Sequence, residues 1–168
     1  MIFIRLSGFL LFWIALSCTG IAQSRIKVAC VGNSVTYGYT IPDREVNSYP
    51  AQLGRMLGDG YEVGNFGKSG ATLLNKGHRP YIKQEEFRKA LQFAGDRVVI
   101  HLGLNDTDPR NWPNYRDDFI PDYLALIDSF RRVNPACRIW ICRMSPISHR
   151  HWRFKSGTRD WYWQIQQA

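Results

Sequence analysis

The stretch RIKVACVGNS, residues 25–34, decides the fold that we predict for this chain. Its first seven residues, 25–31, are mostly apolar, which is typical of a short buried strand. Gly32 ends that strand in a turn, and Asn33 and Ser34 follow within the turn. The segment therefore predicts a strand that leads directly into a loop bearing a serine.

Similar apolar segments recur along the chain, and segments with helical spacing separate them. We predict further strands over residues 61–66, 97–102 and 138–144. We predict helices that begin at Ser48 as N-cap, at residues 84–94 and 117–133, and from residue 158 to residue 167. Because the strands alternate with helices and are apolar on both faces, we expect a parallel sheet covered on both sides, a three-layer α/β/α fold. Binding sites of such sheets lie beyond the carboxyl ends of the strands.

Length and charge narrow the classes of protein that fit. The chain has 168 residues, enough for one domain, and a formal net charge of +8. The basic residues are densest at 131–132 and 149–151 and form no block, so we expect no nucleic-acid partner. No lysine follows Gly38 as a phosphate loop requires, and the GxGxxG pattern is absent. We therefore expect no nucleotide and no other cofactor.

The first residues have the pattern of a secretory signal peptide. Arg5 supplies a positive charge, residues 6–15 are nearly all apolar, and Gly20-Ile21-Ala22 offers small residues for cleavage. We expect residues 1–22 to be removed, leaving a domain over residues 23–168 that is exported to the periplasm or the cell exterior. The apolar run is shorter than the ~20 residues of a membrane span. A lipid anchor at Cys18 is the alternative, because the sequence before it partly resembles a lipoprotein cleavage box.

Cleavage after residue 22 leaves Cys30, Cys137 and Cys142. An odd number in an exported chain means that at least one thiol has no internal partner. Cys30 and Cys142 lie in apolar strand-like segments, so we expect buried free thiols. No CxxC or Cys/His spacing indicates zinc, and we expect no metal site.

Three loops contain the residues that indicate a catalytic site. They follow the first three predicted strands and contain Ser34, Gly70 and Asn105. Each residue alone is a common turn or capping residue. Together they provide what acyl transfer needs, a nucleophile and several N–H donors for the developing oxyanion. Ser34 supplies the hydroxyl and its own N–H, Gly70 a second backbone N–H, and Asn105 a side-chain amide.

These three blocks resemble the SGNH, or GDSL-type, hydrolases, which are named for a serine, a glycine, an asparagine and a histidine. The first block, usually GDS, reads GNS at residues 32–34, so Asn33 replaces an aspartate. Gly70 matches the second block, and residues 103–106 match the third block, GxND. The resemblance runs from about residue 27 onward. It implies a flavodoxin-like fold, hydrolysis of esters, and the catalytic roles given above for Ser34, Gly70 and Asn105.

The fourth block of the family, an Asp-x-x-His, has no match. The segment Asp160 to Trp163 has tryptophan where the histidine belongs, so we expect this chain to be the N-terminal portion of a longer hydrolase domain. His101 lies within a predicted strand and His78 in the second loop. His149 and His151 follow the fourth strand at the same edge of the sheet as Ser34, and they are the internal candidates for the base.

Residues 98–112 and 154–160 are similar to exported bacterial sialate or carbohydrate O-acetylesterases. On this resemblance we expect an O-acetyl ester on a glycan as substrate. The predicted substrate rim consists of Arg79, Arg110, Trp112 and Trp152, because tryptophan offers a flat apolar face and arginine pairs with carboxylates. His149 and His151 are further candidates for contact with the substrate. The alternative is that these side chains pack locally.

Other functions stay open at this point. A lysophospholipase or arylesterase of the same family would use the same residues on another ester. A glycan-binding module that has lost its base would keep the fold without catalysis. A flavodoxin-like nucleotide-binding protein is disfavoured by the lack of a phosphate motif.

Overall fold

A computed structural model describes residues 24–148 and 159–168. The predicted signal peptide, the alternative anchor at Cys18, and His149, His151 and Trp152 lie outside the described residues. The strands of the described part are β1 Ile26–Gly32, β2 Tyr61–Gly67, β3 Arg97–His101 and β4 Arg138–Ile141. Its helices are α1 Ser34–Tyr37, α2 Arg44–Asn47, α3 Tyr49–Leu57, α4 Glu85–Phe93, α5 Trp112–Tyr115, α6 Phe119–Val133 and α7 Arg159–Gln167. Short 3-10 turns cover Tyr81–Lys83, Leu104–Thr107 and Arg116–Asp118.

The strands form one parallel sheet in the order β2-β1-β3-β4. Val28 of β1 pairs with Val63 of β2 on one side and with Arg97 of β3 on the other, and Val99 pairs with Trp140 of β4. The predicted parallel α/β fold is confirmed. Since all strands run the same way, the loops after β1, β2 and β3 leave from one edge of the sheet.

The core lies between the sheet and its helices. The central strands β1 and β3 supply Val31, Val98 and Ile100, all fully buried. Helix α6 adds four buried side chains at intervals of three and four residues, the spacing that puts them on one face. They are Phe119, Tyr123, Leu126 and Phe130.

Strand β4 differs from the prediction. It ends at Ile141 and not at residue 144, and Trp140 and Ile141 are 48% and 56% exposed. The strand ends early because its one partner in the described part, β3, ends at His101, where Gly103 follows with a φ of +106°. Its side chains are exposed because β4 is an edge strand of the sheet among the described residues. The last ladder contact is the Cys142 N–H, which donates to the Ile100 carbonyl at 2.8 Å. Among the described residues, β4 is thus the strand of the sheet that is least covered.

Two smaller predictions also need correction. Ser48 does occupy the N-cap position of α3, but its side chain makes no capping hydrogen bond. Cys30 is a buried free thiol as predicted, and burial raises its pKa to about 12. Cys142 is only partly buried, because it lies at the exposed end of β4. Among the described residues, no helix is long and apolar enough to cross a bilayer.

Candidate active site

The turn after β1 holds Ser34 at the start of helix α1. The Asn33 side chain caps this helix by accepting a hydrogen bond from the Val35 N–H at 3.0 Å. An aspartate carboxylate would accept the same bond, so Asn33 preserves this feature of the turn. A Cβ added at Gly32 would overlap the Thr36 side chain and lie 2.7 Å from the His101 carbonyl oxygen. Only glycine therefore fits where the turn that leads to Ser34 meets β3.

The loop after β2 packs against this turn. The Lys68 N–H donates to the Gly32 carbonyl at 2.9 Å, and the Ala71 N–H donates to the Lys68 carbonyl at 3.1 Å. Gly70 lies within that bend with a φ of +81°, a conformation that favours glycine. Lys68, which bonds to Gly32, lies two positions before Gly70. These hydrogen bonds therefore hold the backbone around Gly70 close to the turn that contains Ser34.

The loop after β3 bonds to the same segment. Asn105 is buried on the Leu104–Thr107 turn, and its Nδ2 donates to the Ala71 carbonyl at 2.9 Å. Asn105 therefore contacts the residue that follows Gly70. One network of hydrogen bonds connects the three loops that the sequence singled out.

Asp106 fixes the continuation of the second loop. Its carboxylate is fully buried and accepts the N–H groups of Leu73 and Leu74 at 3.0 and 2.8 Å. Burial raises the pKa of Asp106 to about 6, while the backbone N–H bonds act in the opposite direction. Asp106 thus attaches the loop that contains Gly70 to the turn that contains Asn105.

The comparison with protein families agrees with this arrangement. Residues 30–168 match the model of the GDSL-like Lipase/Acylhydrolase family. This chain belongs to that family. The resemblance predicted from the three sequence blocks is confirmed, whereas the roles of Ser34, Gly70 and Asn105 in this GDSL-family chain stay predictions.

Relatives of this GDSL-family chain include esterases. An acetylxylan esterase of Xylanibacter ruminicola is 48% identical over 109 residues, which cover 65% of this chain and 22% of that protein. The chain thus spans about a fifth of the length of this curated relative. A G-D-S-L family protein of Desulfitobacterium hafniense DCB-2 superposes with a TM-score of 0.57 at 22% identity, covering 85% of this chain and 73% of that one. A family two carbohydrate esterase of Clostridium thermocellum, solved in complex with cellohexaose, superposes with a TM-score of 0.56 at 23% identity. The match covers 83% of this chain and 48% of that one. The two structures support the fold.

One buried asparagine supports the site and was missed as a site residue in the sequence. Asn111 is fully buried. Its Nδ2 donates to the backbone carbonyl of Asn105 at 2.9 Å, and its Oδ1 accepts a hydrogen bond from the backbone N–H of His78 at 2.9 Å. Its side chain also contacts the His78 ring, with Nδ2 at 3.0 Å and Oδ1 at 3.3 Å from Nδ1. His78 is 33 positions away in the chain. No local pattern in the sequence of this GDSL-family domain signals such a contact.

The prediction of a substrate rim needs correction at Trp112. Trp112 is 5% exposed, donates from Nε1 to Gln164 Oε1 at 2.7 Å, and packs edge-to-face on Phe119. It is a core residue, so its ring is not offered to a sugar at the surface. Arg110 is exposed but binds both carboxylate oxygens of Asp108, which lowers the pKa of Asp108 to about 2.

Arg79 is the rim residue that lies beside the site of this GDSL-family chain. Its Nη1 donates to the Ser69 carbonyl at 3.0 Å and would lie 3.1 Å from a Cβ added at Gly70. The guanidinium therefore flanks the predicted oxyanion loop. Contacts of Arg79 and Arg110 with substrate stay predictions, and those of His149 and His151 concern positions outside the described residues.

His101 is the last residue of β3 and lies in the core. It is 6% exposed, and its Nε2 accepts the Ser145 N–H at 3.2 Å. Burial lowers its pKa. Because Nε2 is occupied by the loop after β4, His101 is poorly suited to take a proton from Ser34. Among the described residues, no cluster of three or more His, Cys, Asp or Glu side chains could hold a metal ion.

Proposed function

We propose that this chain forms the nucleophile and oxyanion part of an esterase that removes acetyl groups from carbohydrates. The observation that carries the proposal is the single hydrogen-bond network that joins the loops of Ser34, Gly70 and Asn105. Membership of the GDSL-like family supports ester chemistry, and the acetylxylan esterase relative supports an acetylated polysaccharide as substrate.

The proposed reaction has two stages. The Ser34 hydroxyl attacks the acetyl carbonyl and its proton passes to a base, which gives a tetrahedral intermediate whose former carbonyl oxygen is negative. The bond between the acetyl carbon and the sugar oxygen then breaks, and the protonated base gives its proton to that oxygen. Water hydrolyses the acetyl-serine in the same way and releases acetate. The N–H groups of Ser34 and Gly70 and the Asn105 amide stabilise the negative oxygen in both stages.

The base of this reaction is proposed to be a histidine outside residues 1–168, as the family's Asp-x-x-His block implies. A serine hydroxyl without a positioned base is a weak nucleophile, although an oxyanion site alone retains roughly 1000–10000-fold over water. We therefore expect residues 1–168 alone to hydrolyse p-nitrophenyl acetate very slowly. Measuring this chain beside its His149→Ala/His151→Ala double variant tests the proposal. High activity that the double variant abolishes would place the base in the loop after β4 instead.

The substrate is tested with a panel of esters and the protein made from its full reading frame. We expect acetate release from acetylated xylo-oligosaccharides to exceed hydrolysis of a lysophospholipid by at least tenfold. O-Acetylated sialic acid is the second arm, because the exposed Arg79 could pair with its carboxylate. Preference for the lysophospholipid would contradict the carbohydrate assignment. Binding of oligosaccharide without any hydrolysis would indicate a glycan-binding module.

We also propose that residues 1–22 direct export and are then removed. Their sequence supports this, with a positive start, an apolar run and small residues at positions 20 and 22. The mass of the mature protein from the native host is the measurement, and we expect a chain that begins at Gln23. A mature chain that begins with a lipid-modified Cys18 would show an anchored protein instead.

A further inference from the structure

His78 and Asn111 form a side-chain pair that the proposed chemistry does not use. The Asn111 amide group is fully buried. Its oxygen accepts a hydrogen bond from the backbone N–H of His78, and its nitrogen donates to the backbone carbonyl of Asn105. Turning this amide over would put its oxygen against the Asn105 carbonyl oxygen and its NH₂ group against the His78 N–H. The hydrogen-bond network thus allows one orientation of the amide.

That orientation determines how the His78 ring is held. His78 Nδ1 lies 3.0 Å from Asn111 Nδ2 and 3.3 Å from Asn111 Oδ1, and in the tautomer that uses the shorter contact Nδ2 donates and Nδ1 accepts. An imidazole that accepts at Nδ1 carries its proton on Nε2. His78 is on an exposed loop, where side chains usually move freely, yet a buried group fixes its ring. The consequence is an oriented N–H donor at Nε2, on the part of the ring that Asn111 does not contact.

The pair is bonded to the backbone of Asn105, whose side chain is one of the proposed oxyanion donors. His78 is connected to Asn105 through one side chain, that of Asn111. The next residue along the chain, Arg79, flanks Gly70. The cationic Arg79 suits a carboxylate. The N–H donor of a neutral His78 ring, by contrast, suits a neutral oxygen such as a sugar hydroxyl.

We propose that His78 binds a hydroxyl of the sugar that carries the acetyl ester, and that Asn111 is the positioning residue that orients it. The inference rests on the proposed carbohydrate esterase function and deepens it, by assigning a specificity contact. His78 would distinguish a glycan ester from a small aryl ester, which has no hydroxyl at that place.

The first experiment separates binding from catalysis. Affinities for acetylated xylo-oligosaccharides are measured by calorimetry on Ser34→Ala protein, which cannot turn the ligand over. We expect His78→Ala to weaken binding about fivefold to tenfold, the loss of one hydrogen bond, and His78→Gln to restore part of it. Lys76→Ala, a change on the same loop at an ion pair with Asp118, is the control and should bind as the parent does. Unchanged affinity in His78→Ala would overturn the proposal.

The second experiment tests Asn111 through a ratio of rates in the protein made from its full reading frame. The ratio compares kcat/KM for the acetylated oligosaccharide with kcat/KM for p-nitrophenyl acetate. We expect His78→Ala to lower it about fivefold to tenfold, and Asn111→Ala to lower it similarly. Adding Asn111→Ala to His78→Ala should lower the ratio no further, because Asn111 acts through His78. Equal losses on both esters would show a purely structural role and overturn the inference.

The two measurements keep this inference distinct from the function on which it rests. If the parent hydrolyses p-nitrophenyl acetate but its Ser34→Ala form does not bind the oligosaccharide, the sugar contact is wrong while ester hydrolysis stands. If the oligosaccharide binds through His78 but no ester is hydrolysed, the contact stands and the esterase function fails.

Discussion

At the residue scale, Asp106 shows why the third sequence block extends beyond Asn105. Its buried carboxylate accepts two backbone N–H groups from the loop after β2. Replacing one carboxylate oxygen by an NH₂ group would leave one of those N–H groups facing a donor. We therefore expect Asp106→Asn to lower the free energy of unfolding by about 2 kcal/mol, measured by urea unfolding. A variant as stable as the parent would show that Asp106 does not hold this loop.

The same residue predicts how stability depends on pH. Burial raises the pKa of Asp106 from 3.8 to about 6. Between these two values the folded chain holds a proton that the unfolded chain has released, so stability falls as pH rises through this window. A difference of this size corresponds to roughly 3 kcal/mol at most. We expect the unfolding free energy of the parent, relative to Asp106→Asn, to decrease between pH 4 and pH 6. A relative stability that rises with pH would contradict the assigned pKa.

The residues that the sequence identified are those with motif partners close in the chain. The GNS and GxND blocks point to Ser34 and Asn105 because strand, turn and polar residue follow one another directly. Asn111 and His78 could not be identified in this way, because their contact joins two loops that are 33 positions apart in the chain. No local sequence pattern shows that Asn111 is buried or how the His78 ring is oriented. Trp112 shows the opposite problem, since a tryptophan in a polar segment suggests a surface and the fold buries it.

At the element scale, the fit between β1, α1 and β3 determines where Ser34 lies. A methyl group at position 32 would overlap Thr36 of α1 and approach the His101 carbonyl of β3. We therefore expect Gly32→Ala to displace α1 and to destabilise the protein by about 1–3 kcal/mol, with loss of esterase activity. Gly60→Ala is the matched control, because a Cβ there meets nothing within 4 Å. Thermal unfolding and acetate release measure both variants, and equal behaviour would show that this packing does not position Ser34.

Element boundaries were predictable where an apolar run coincides with a buried strand. Strands β1, β2 and β3 match the predicted segments to within about a residue. Strand β4 does not, because its end depends on where its neighbour β3 stops and not on its own sequence. The short helices α1, α2 and α5 were not predicted, since four residues are too few to show a helical period.

At the scale of the whole molecule, the described part has an apolar groove of about 270 Å³ between α6, the end of β4 and α7. Ile120 and Leu124 of α6 line it and are 45% and 56% exposed. We expect the 168-residue chain to bind a hydrophobic dye such as ANS there, because exposed apolar patches do so. Ile120→Lys/Leu124→Lys should reduce the fluorescence by about half or more. Met56→Lys, an exposed apolar residue of α3 outside the groove, should not, and equal effects would contradict this location.

We propose Ser34 as the nucleophile of an acetyl esterase built on the three connected loops. The most direct measurement is acetate release from acetylated xylo-oligosaccharides by the protein made from its full reading frame, beside its Ser34→Ala variant. We expect turnover by the parent and a loss on the order of 10,000-fold in the variant, whose circular dichroism should be unchanged. A folded Ser34→Ala protein that releases acetate at more than a tenth of the parental rate would contradict it.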